Sequence, residues 1–228
     1  MNLTDSLKGC LIVSCQAPAG SPFQDPEAMA TMVRAVVLGG ACALRLEGIA
    51  HVRRMGEFGL PIVGLVKRRD PSSDVFITPT VQDVLDLVDA GAHVIAMDAT
   101  ARERPGGELL SELVAAAHAA GVLVMGDIDS VESARYAEDA GVDWVGTTLS
   151  GYTGTSGSEG PDIDLVEQLA GTTSLPVIAE GRYSRPEHVA RAFSSGAWAV
   201  VVGTAISDPL QLSRAFAAAC PPLPEAVR

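Results

Sequence analysis

Short apolar runs alternate along this chain with amphipathic stretches of helical periodicity. A recurrent phrase joins them: a helix-like run, a glycine, a small residue and an apolar run, as expected where a left-handed glycine ends a helix. The phrase occurs at Gly40-Ala41, Gly91-Ala92, Gly121-Val122, Gly141-Val142 and Gly196-Ala197, and Leu60-Pro61 and Leu175-Pro176 open two further runs. With the first apolar run, this pattern predicts eight strands, at about 9–16, 42–47, 62–67, 93–98, 122–127, 143–147, 176–180 and 198–202.

Helix-start signals fall between these strands and support the same division of the chain. Asp25-Pro26 and Asp208-Pro209 each offer an N-cap followed by proline at the first helical position. Ser184 to Glu187 has capping-box spacing, and Thr80 to Asp83 is a weaker version of it. The run 26–38 carries one apolar face, which indicates a core helix; its members are Met29, Met32, Val33, Val36 and Val37.

Eight strands alternating with helices in one uninterrupted chain predict a single-domain (β/α)8 TIM barrel over residues 1–228. No linker, composition break or low-complexity tract divides the sequence. The alternative is a doubly wound open sheet, which is expected to carry a glycine-rich first turn. The segment Cys15-Gln16-Ala17-Pro18 is not such a turn, so the barrel is favoured.

Composition narrows the range of partners. Hydrophobic residues make up 47 % and charged residues 19 %, which predicts an ample core. The formal net charge of −12 argues against a nucleic-acid partner, and it requires that any bound phosphate be held by local donors. We find neither a signal-peptide pattern nor a membrane-spanning apolar run, and four cysteines without a C-x-x-C pair suggest reduced thiols in a cytoplasm.

The predicted strands end in polar residues, and in a (β/α)8 barrel these ends meet on the active-site face. The polar ends are Ser14 and Gln16, Arg45 and Glu47, Lys67 and Arg68, Asp98 and Thr100, Asp127, Thr147 and Thr148, Glu180 and Arg182, and Gly203 and Thr204. Glu180 and Lys67 each follow a strongly apolar strand, which makes them the candidate catalytic residues. Partial loss of hydration would lower the pKa of Lys67 and so help it to act as a base or nucleophile. Arg45 and Arg68 nearby would act in the same direction, and Glu180 would oppose them. The alternative is a structural ion pair for each of them.

Two glycine-containing turns point to an anion site. Gly181-Arg182 follows the seventh strand and Gly203-Thr204 follows the eighth, where many barrels bind phosphate through backbone N–H groups and a helix start. No histidine spacing suggests a metal site. Asp127 and Asp129 would bind Mg²⁺ only with a third oxygen ligand. The segment Arg102-Glu103-Arg104 is interpreted as a solvated face or partner contact.

Several motifs, in order along nearly the whole chain, resemble the bacterial N-acetylmannosamine-6-phosphate 2-epimerase family of sialic acid salvage. They are Leu11-Ile12-Val13-Ser14-Cys15-Gln16, Lys67-Arg68, Phe76-Ile77-Thr78-Pro79-Thr80, Asp98-Ala99-Thr100 through Arg104-Pro105, Val145-Gly146-Thr147-Thr148-Leu149-Ser150-Gly151-Tyr152-Thr153, Ile178-Ala179-Glu180-Gly181-Arg182 and Val202-Gly203-Thr204-Ala205-Ile206. The stretch 146–153 is the longest and most specific of them.

The resemblance implies a cofactor-free, metal-free epimerase acting on a small sugar phosphate, with a tendency to form homodimers. Lys67 and Glu180 would carry proton transfer at C2, Glu180 either positioning Lys67 or acting as a second acid/base. Gln16 and Arg45 would bind the oxyanion or neighbouring hydroxyls, and Asp127 would complete the hydrogen-bond network. Two alternatives remain: a Schiff-base aldolase using Lys67, and a non-catalytic sugar-phosphate-binding barrel.

Three segments depart from the family pattern. Ser207-Asp208-Pro209 stands where the family usually has Thr-Arg-Pro, so Arg182 would have to do more in holding phosphate. Gly126 to Ser130 adds a carboxylate, Asp129, close to the expected site. The usual aromatic residue is missing from Arg69-Asp70-Pro71-Ser72.

Overall fold

The computed structural model describes residues 2–153 and 160–221 and is a closed barrel of eight parallel strands. The strands are β1 Cys10–Cys15, β2 Ala43–Glu47, β3 Ile62–Leu65, β4 Val94–Asp98, β5 Leu123–Asp127, β6 Trp144–Gly146, β7 Val177–Ala179 and β8 Ala199–Val202. Each pairs with the next in the sequence, and β1 pairs with β8 from Cys10 opposite Ala199, which closes the barrel. The single-domain (β/α)8 prediction is therefore confirmed, and the open-sheet alternative is wrong.

Helices follow the strands and form the outer layer. Over the described residues they are α1 Leu3–Ser6, α2 Pro26–Leu38, α3 Ile49–Met55, α4 Val81–Asp89, α5 Leu110–Ala119, α6 Val131–Ala140, α7 Ile163–Thr172, α8 Pro186–Ser194, α9 Thr204–Ser207 and α10 Pro209–Ala218. The predicted caps are present at three of the four starts. Asp25 accepts from the amides of Glu27 and Ala28, and Thr80 and Asp208 cap α4 and α10.

The fourth cap prediction is wrong. Helix α8 begins at Pro186, so Arg185 and not Ser184 occupies the N-cap position, and its side chain makes no capping hydrogen bond. The proline explains the shift, because its fixed φ suits the first helical position and its missing N–H would have no partner there.

Two apolar layers hold the barrel together. The outer layer lies between strands and helices and includes Met29, Val33 and Leu44. The inner layer fills the barrel itself and includes Ile12, Leu65 and Trp144. Side chains alternate across a strand, so every second residue points inward, and those inward rows decide what reaches the barrel mouth.

The amino-terminal end of the barrel is closed by α1. The indole of Trp144 donates to the hydroxyl of Thr4 at 3.0 Å, and that of Trp198 donates to the Thr4 carbonyl at 2.9 Å. Leu7 is buried in the inner layer just beyond the helix. With that end plugged, polar chemistry is confined to the opposite, carboxyl-terminal mouth, where barrel enzymes carry their active sites.

Candidate active site

The polar residues at the mouth extend the inward rows of the barrel core. Each lies two residues after an inward apolar residue, in the pairs Ala43–Arg45, Leu65–Lys67, Met125–Asp127 and Ile178–Glu180. The alternation that buries the first member of each pair aims the second at the same axis, one layer higher. Four strands thus bring two cations and two carboxylates to one place.

Arg45, Asp127 and Glu180 form the charged centre of this mouth. Arg45 and Asp127 make a two-pronged pair, with Nη1–Oδ1 at 3.0 Å and Nη2–Oδ2 at 2.6 Å. The same Nη1 also lies 2.9 Å from Oε2 of Glu180. Arg45 is 1 % exposed, Asp127 0 % and Glu180 11 %, so Glu180 is the member of the trio that faces the open mouth.

Two consecutive threonines hold Glu180 from the side. The Thr147 hydroxyl accepts from the Glu180 amide at 2.9 Å and donates to its carbonyl at 2.8 Å. The Thr148 hydroxyl lies 2.6 Å from Oδ1 of Asp127 and 3.2 Å from Oε2 of Glu180. Both threonines stand at a strand end in the sequence, but nothing in the sequence indicates that they hold Glu180.

Glu180 has an unusual affinity for protons. Burial raises its pKa to about 7, aided by the negative charge of Asp127 and opposed by Arg45, the Thr148 hydrogen bond and Lys67. The carboxyl group can therefore either give or take a proton near neutral pH, which is what a general acid or base requires.

Lys67 lies beyond the end of β3, where its backbone forms an isolated antiparallel bridge with Ile77. Its side chain is reached by solvent, but the surrounding protein removes part of its hydration, and this lowers its pKa. Arg45 lowers it further, while Glu47, Glu180 and Asp127 act in the opposite direction. Among the described carboxylates none forms an ion pair with the Lys67 amine.

The sequence predicts that Arg68 lies near Lys67 at this centre, and that prediction is wrong. Its guanidinium turns outward to Asp83 at the start of α4, with Nη2–Oδ1 at 2.6 Å. Adjacent residues project to opposite sides of an extended chain, so Lys67 and Arg68 cannot both face the mouth. The electrostatic influence on Lys67 comes from Arg45 instead.

Gln16 lies at the same mouth, at the end of β1. Its side-chain amide donates to the hydroxyl of Ser14 at 2.9 Å. Ser207, from α9, donates to the Ser14 carbonyl at 2.5 Å and so ties the end of β1 to the turn after β8. The expected roles of Gln16, Arg45 and Asp127 as substrate ligands stay predictions.

The two candidate phosphate turns follow β7 and β8 as expected. Gly181 and Arg182 have φ values of 109° and 57°, and Gly203 is the N-cap residue of α9, which starts at Thr204. The guanidinium of Arg182 donates to the carbonyls of Ser150 at 2.6 Å and Gly160 at 2.8 Å. Phosphate binding by these turns stays a prediction. Because the Arg182 guanidinium donates to protein carbonyls, the backbone N–H groups of the two turns are the favoured donors to a phosphate.

Two of the three departures from the family pattern have structural roles. Asp208 is 8 % exposed and caps α10 by accepting from the Gln211 amide at 3.0 Å. Asp129 accepts from the hydroxyls of Ser133 and Thr153. Burial would raise the Asp129 pKa, but these hydrogen bonds outweigh it, and the pKa is lowered.

The segment 102–104 differs from the solvated face that its charges suggested. Arg104 is 4 % exposed and donates to the Asp98 carbonyl, while Arg102 pairs with the buried Asp98 carboxylate at 2.5 Å. The two arginines therefore fix the loop after β4 against the barrel.

Over the described residues, no three His, Cys, Asp or Glu side chains are grouped as ligands for a metal ion. The same part of the chain contains no helix long and apolar enough to cross a membrane.

Comparison with known proteins assigns the chain to a family. The sequence profile for N-acetylmannosamine-6-phosphate epimerases matches residues 29–221. The chain belongs to the N-acetylmannosamine-6-phosphate 2-epimerase family. A family member from Thermosynechococcus vestitus is 47 % identical over 210 residues, covering 91 % of each chain. A second, from Clostridium perfringens, is 44 % identical over 216 residues, covering 94 % of this chain and 98 % of the relative.

A solved structure supports the same assignment. The epimerase from Clostridium perfringens superposes with a TM-score of 0.92 at 41 % identity, covering 96 % of this chain and 97 % of that one. A thiamine phosphate pyrophosphorylase from Pyrococcus furiosus, at 18 % identity and a TM-score of 0.59, shares the fold alone.

Proposed function

We propose that this epimerase-family member interconverts N-acetylmannosamine 6-phosphate and N-acetylglucosamine 6-phosphate by removing and returning the proton at C2. One observation carries the proposal beyond family membership: Lys67 and Glu180 lie at one barrel mouth, with the Lys67 pKa lowered and the Glu180 pKa raised. Groups whose pKa values are moved toward neutrality are suited to exchange protons with substrate.

The chemistry requires the open-chain sugar, in which C2 is adjacent to the C1 carbonyl. A base removes the C2 proton, and the electron pair of the C–H bond moves to O1 and forms an enolate. Placed hydrogen-bond donors stabilise the developing charge. Return of a proton to the other face of C2 gives the epimer.

We assign the neutral Lys67 amine as the base on one face and the Glu180 carboxyl as the acid on the other. In the reverse direction the roles exchange, so each productive arrangement has a single proton on the pair. Gln16 and Arg45 are the proposed donors to the oxyanion or its neighbouring hydroxyls. Asp127, fully buried against Arg45, fixes the guanidinium.

Turnover of N-acetylmannosamine 6-phosphate by the purified protein tests the proposal. Formation of N-acetylglucosamine 6-phosphate supports it, and binding without turnover would favour a non-catalytic barrel. Treatment with borohydride in the presence of substrate separates the aldolase alternative, because only a Schiff base on Lys67 would leave a covalent adduct.

Phosphate is proposed to bind between the ends of β7 and β8, on backbone N–H groups near Gly181, Arg182, Gly203 and Thr204. A Cβ at Gly203 would lie 3.4 Å from Ser14, so Gly203→Val should push this turn away from the end of β1, and we expect KM to rise about tenfold, as for loss of one charge-assisted hydrogen bond. Inhibition by inorganic phosphate should weaken in parallel. An Ala205→Val variant, in the same turn, is the control, and equal KM values for all three proteins would contradict this site.

A homodimer is the proposed assembly, and α10 supports it. No α10 residue is buried, Phe216 is 76 % exposed, and Ile206 just before the helix is 37 % exposed. An apolar face left exposed in the described part of the chain suits a second copy of the protein. We expect sedimentation to give twice the 23.6 kDa chain mass, and Phe216→Glu to shift the protein toward monomer. A parent protein that sediments as a monomer would contradict the proposal.

A further inference from the structure

The turn after β6 grips Glu180 at two separate points. Thr147 and Thr148 open a short 3-10 turn, Thr147–Leu149, which hydrogen bonds anchor to the segment after β5: the Ile128 amide donates to Gly146 at 2.8 Å and the Leu149 amide donates to Ile128 at 3.1 Å. The Thr147 hydroxyl hydrogen-bonds to the backbone of Glu180, whereas the Thr148 hydroxyl hydrogen-bonds to the Glu180 carboxyl group. Thr147 therefore fixes the backbone at Glu180, and Thr148 acts on its carboxyl group.

The two oxygens of Glu180 are not equivalent. Oε2 faces Arg45 Nη1 at 2.9 Å and the Thr148 hydroxyl at 3.2 Å. The guanidinium is positively charged and has no acceptor, so a proton is disfavoured on the Glu180 oxygen that lies against it. Among the described residues Oε1 has no hydrogen-bond partner, and Glu180 is the member of the trio that is open to solvent.

We propose that Thr148 is a positioning residue: by donating to Oε2 of Glu180 beside the charge of Arg45, it pins this oxygen without a proton and so reserves Oε1 as the oxygen that exchanges a proton with substrate. This inference rests on the proposed function of Glu180 as an acid/base. It adds a role for a residue that touches neither C2 nor its proton.

The Thr148 hydroxyl has one proton and two carboxylates within reach. Its oxygen lies 2.6 Å from Oδ1 of Asp127 and 3.2 Å from Oε2 of Glu180. The hydroxyl donates to the charged Oε2 when Glu180 is ionised, because Asp127 keeps its two bonds from Arg45. The hydroxyl thus stabilises the ionised form of Glu180.

The charges that face Glu180 are Arg45 from β2, Lys67 from beyond β3 and Asp127 from β5, and Thr148 adds the hydroxyl bond. Because the pKa of Glu180 is raised to about 7, both Lys67 and Glu180 carry a proton below that pH. The productive arrangement has one proton on these two residues, so kcat/KM is expected to fall as pH drops below about 7. Without the Thr148 hydroxyl, the ionised form of Glu180 loses a hydrogen-bond donor, so the Glu180 pKa rises. The fall of kcat/KM on the acidic side of the pH profile, its lower limb, then moves to higher pH.

The test compares Thr148→Val, Thr148→Ser and Thr147→Val. For Thr148→Val we expect the lower limb of kcat/KM to rise by about one pH unit, the equivalent of one hydrogen bond to a charged group. At pH 7 kcat should fall with little change in KM. Serine keeps the hydroxyl and should return the limb to the parent position. Thr147→Val loosens the backbone, so it should lower kcat at every pH without moving the limb.

A direct titration makes the test independent of turnover. In protein labelled with ¹³C at the glutamate carboxyls, the Glu180 signal is identified by its loss in Glu180→Gln, and its midpoint should be higher in Thr148→Val than in the parent. A parent and Thr148→Val with equal midpoints, or a serine variant that behaves like valine, would overturn the inference. A protein that shows the shift but no turnover would refute the proposed function while leaving the pinning of Oε2 intact.

Discussion

Glu180→Gln is expected to lower kcat by about 10²–10⁴-fold, the usual contribution of a general acid or base. Glutamine keeps the shape of the side chain and an oxygen that can lie against Arg45 and accept from Thr148, but it cannot exchange a proton. Because proton transfer stabilises the transition state and not the bound sugar, KM should change far less than kcat. Steady-state kinetics at pH 7 measures both.

Glu47→Gln is the matched control for this prediction. Glu47 lies at the end of β2 and acts on Lys67 through its charge, but it has no contact with Arg45 among the described hydrogen bonds and ion pairs. We expect a loss of less than about tenfold, as for a distant charge. A Glu180→Gln variant that retained parental kcat would show that Glu180 has only a structural role.

Lys67→Arg is expected to reduce kcat by at least about 10²-fold, and Lys67→Met by a similar factor. Arginine keeps the positive charge but stays protonated, so it cannot take the C2 proton. Failure of both variants would thus separate a need for a titratable amine from a need for charge. The readout is kcat at saturating substrate, with thermal unfolding to confirm that each variant is folded.

The neighbouring cation provides the control for Lys67. Arg68 turns away to Asp83, so Arg68→Lys should leave kcat near the parental value. If Lys67→Arg also kept near-parental kcat, the base would have to be sought at Glu180 or Asp127. The two adjacent substitutions therefore distinguish the inward side chain from the outward one.

Much of the fold was predictable because its signals are local. Adjacent residues alone predict the helix starts at Asp25-Pro26 and Asp208-Pro209, and both caps are present. All eight strands were placed, since each lies between a helix-ending signal and a polar end. Strand ends such as Lys67 and Glu180 could be named as candidates on the same grounds.

The contacts within the site could not be derived in this way. Arg45 and Asp127 are 82 residues apart, and Thr148 and Glu180 are 32 apart, so their meeting depends on the register of four strands around the barrel. The alternation of side chains along β3 does distinguish two neighbours: counting two residues on from the inward Leu65 gives Lys67, which faces the mouth, and not Arg68. No local signal shows that Thr147 and Thr148 hold different parts of Glu180.

Turnover in D₂O tests the central claim most directly. Proton removal and return at C2 predicts that the N-acetylglucosamine 6-phosphate isolated from D₂O carries deuterium at C2 and at no other ring carbon, as read by ¹H NMR. Lys67→Met and Glu180→Gln, assayed beside the parent, should slow this incorporation together with turnover. Product that remains fully protonated at C2 after many turnovers, with no deuterium in the recovered N-acetylmannosamine 6-phosphate, would contradict the mechanism.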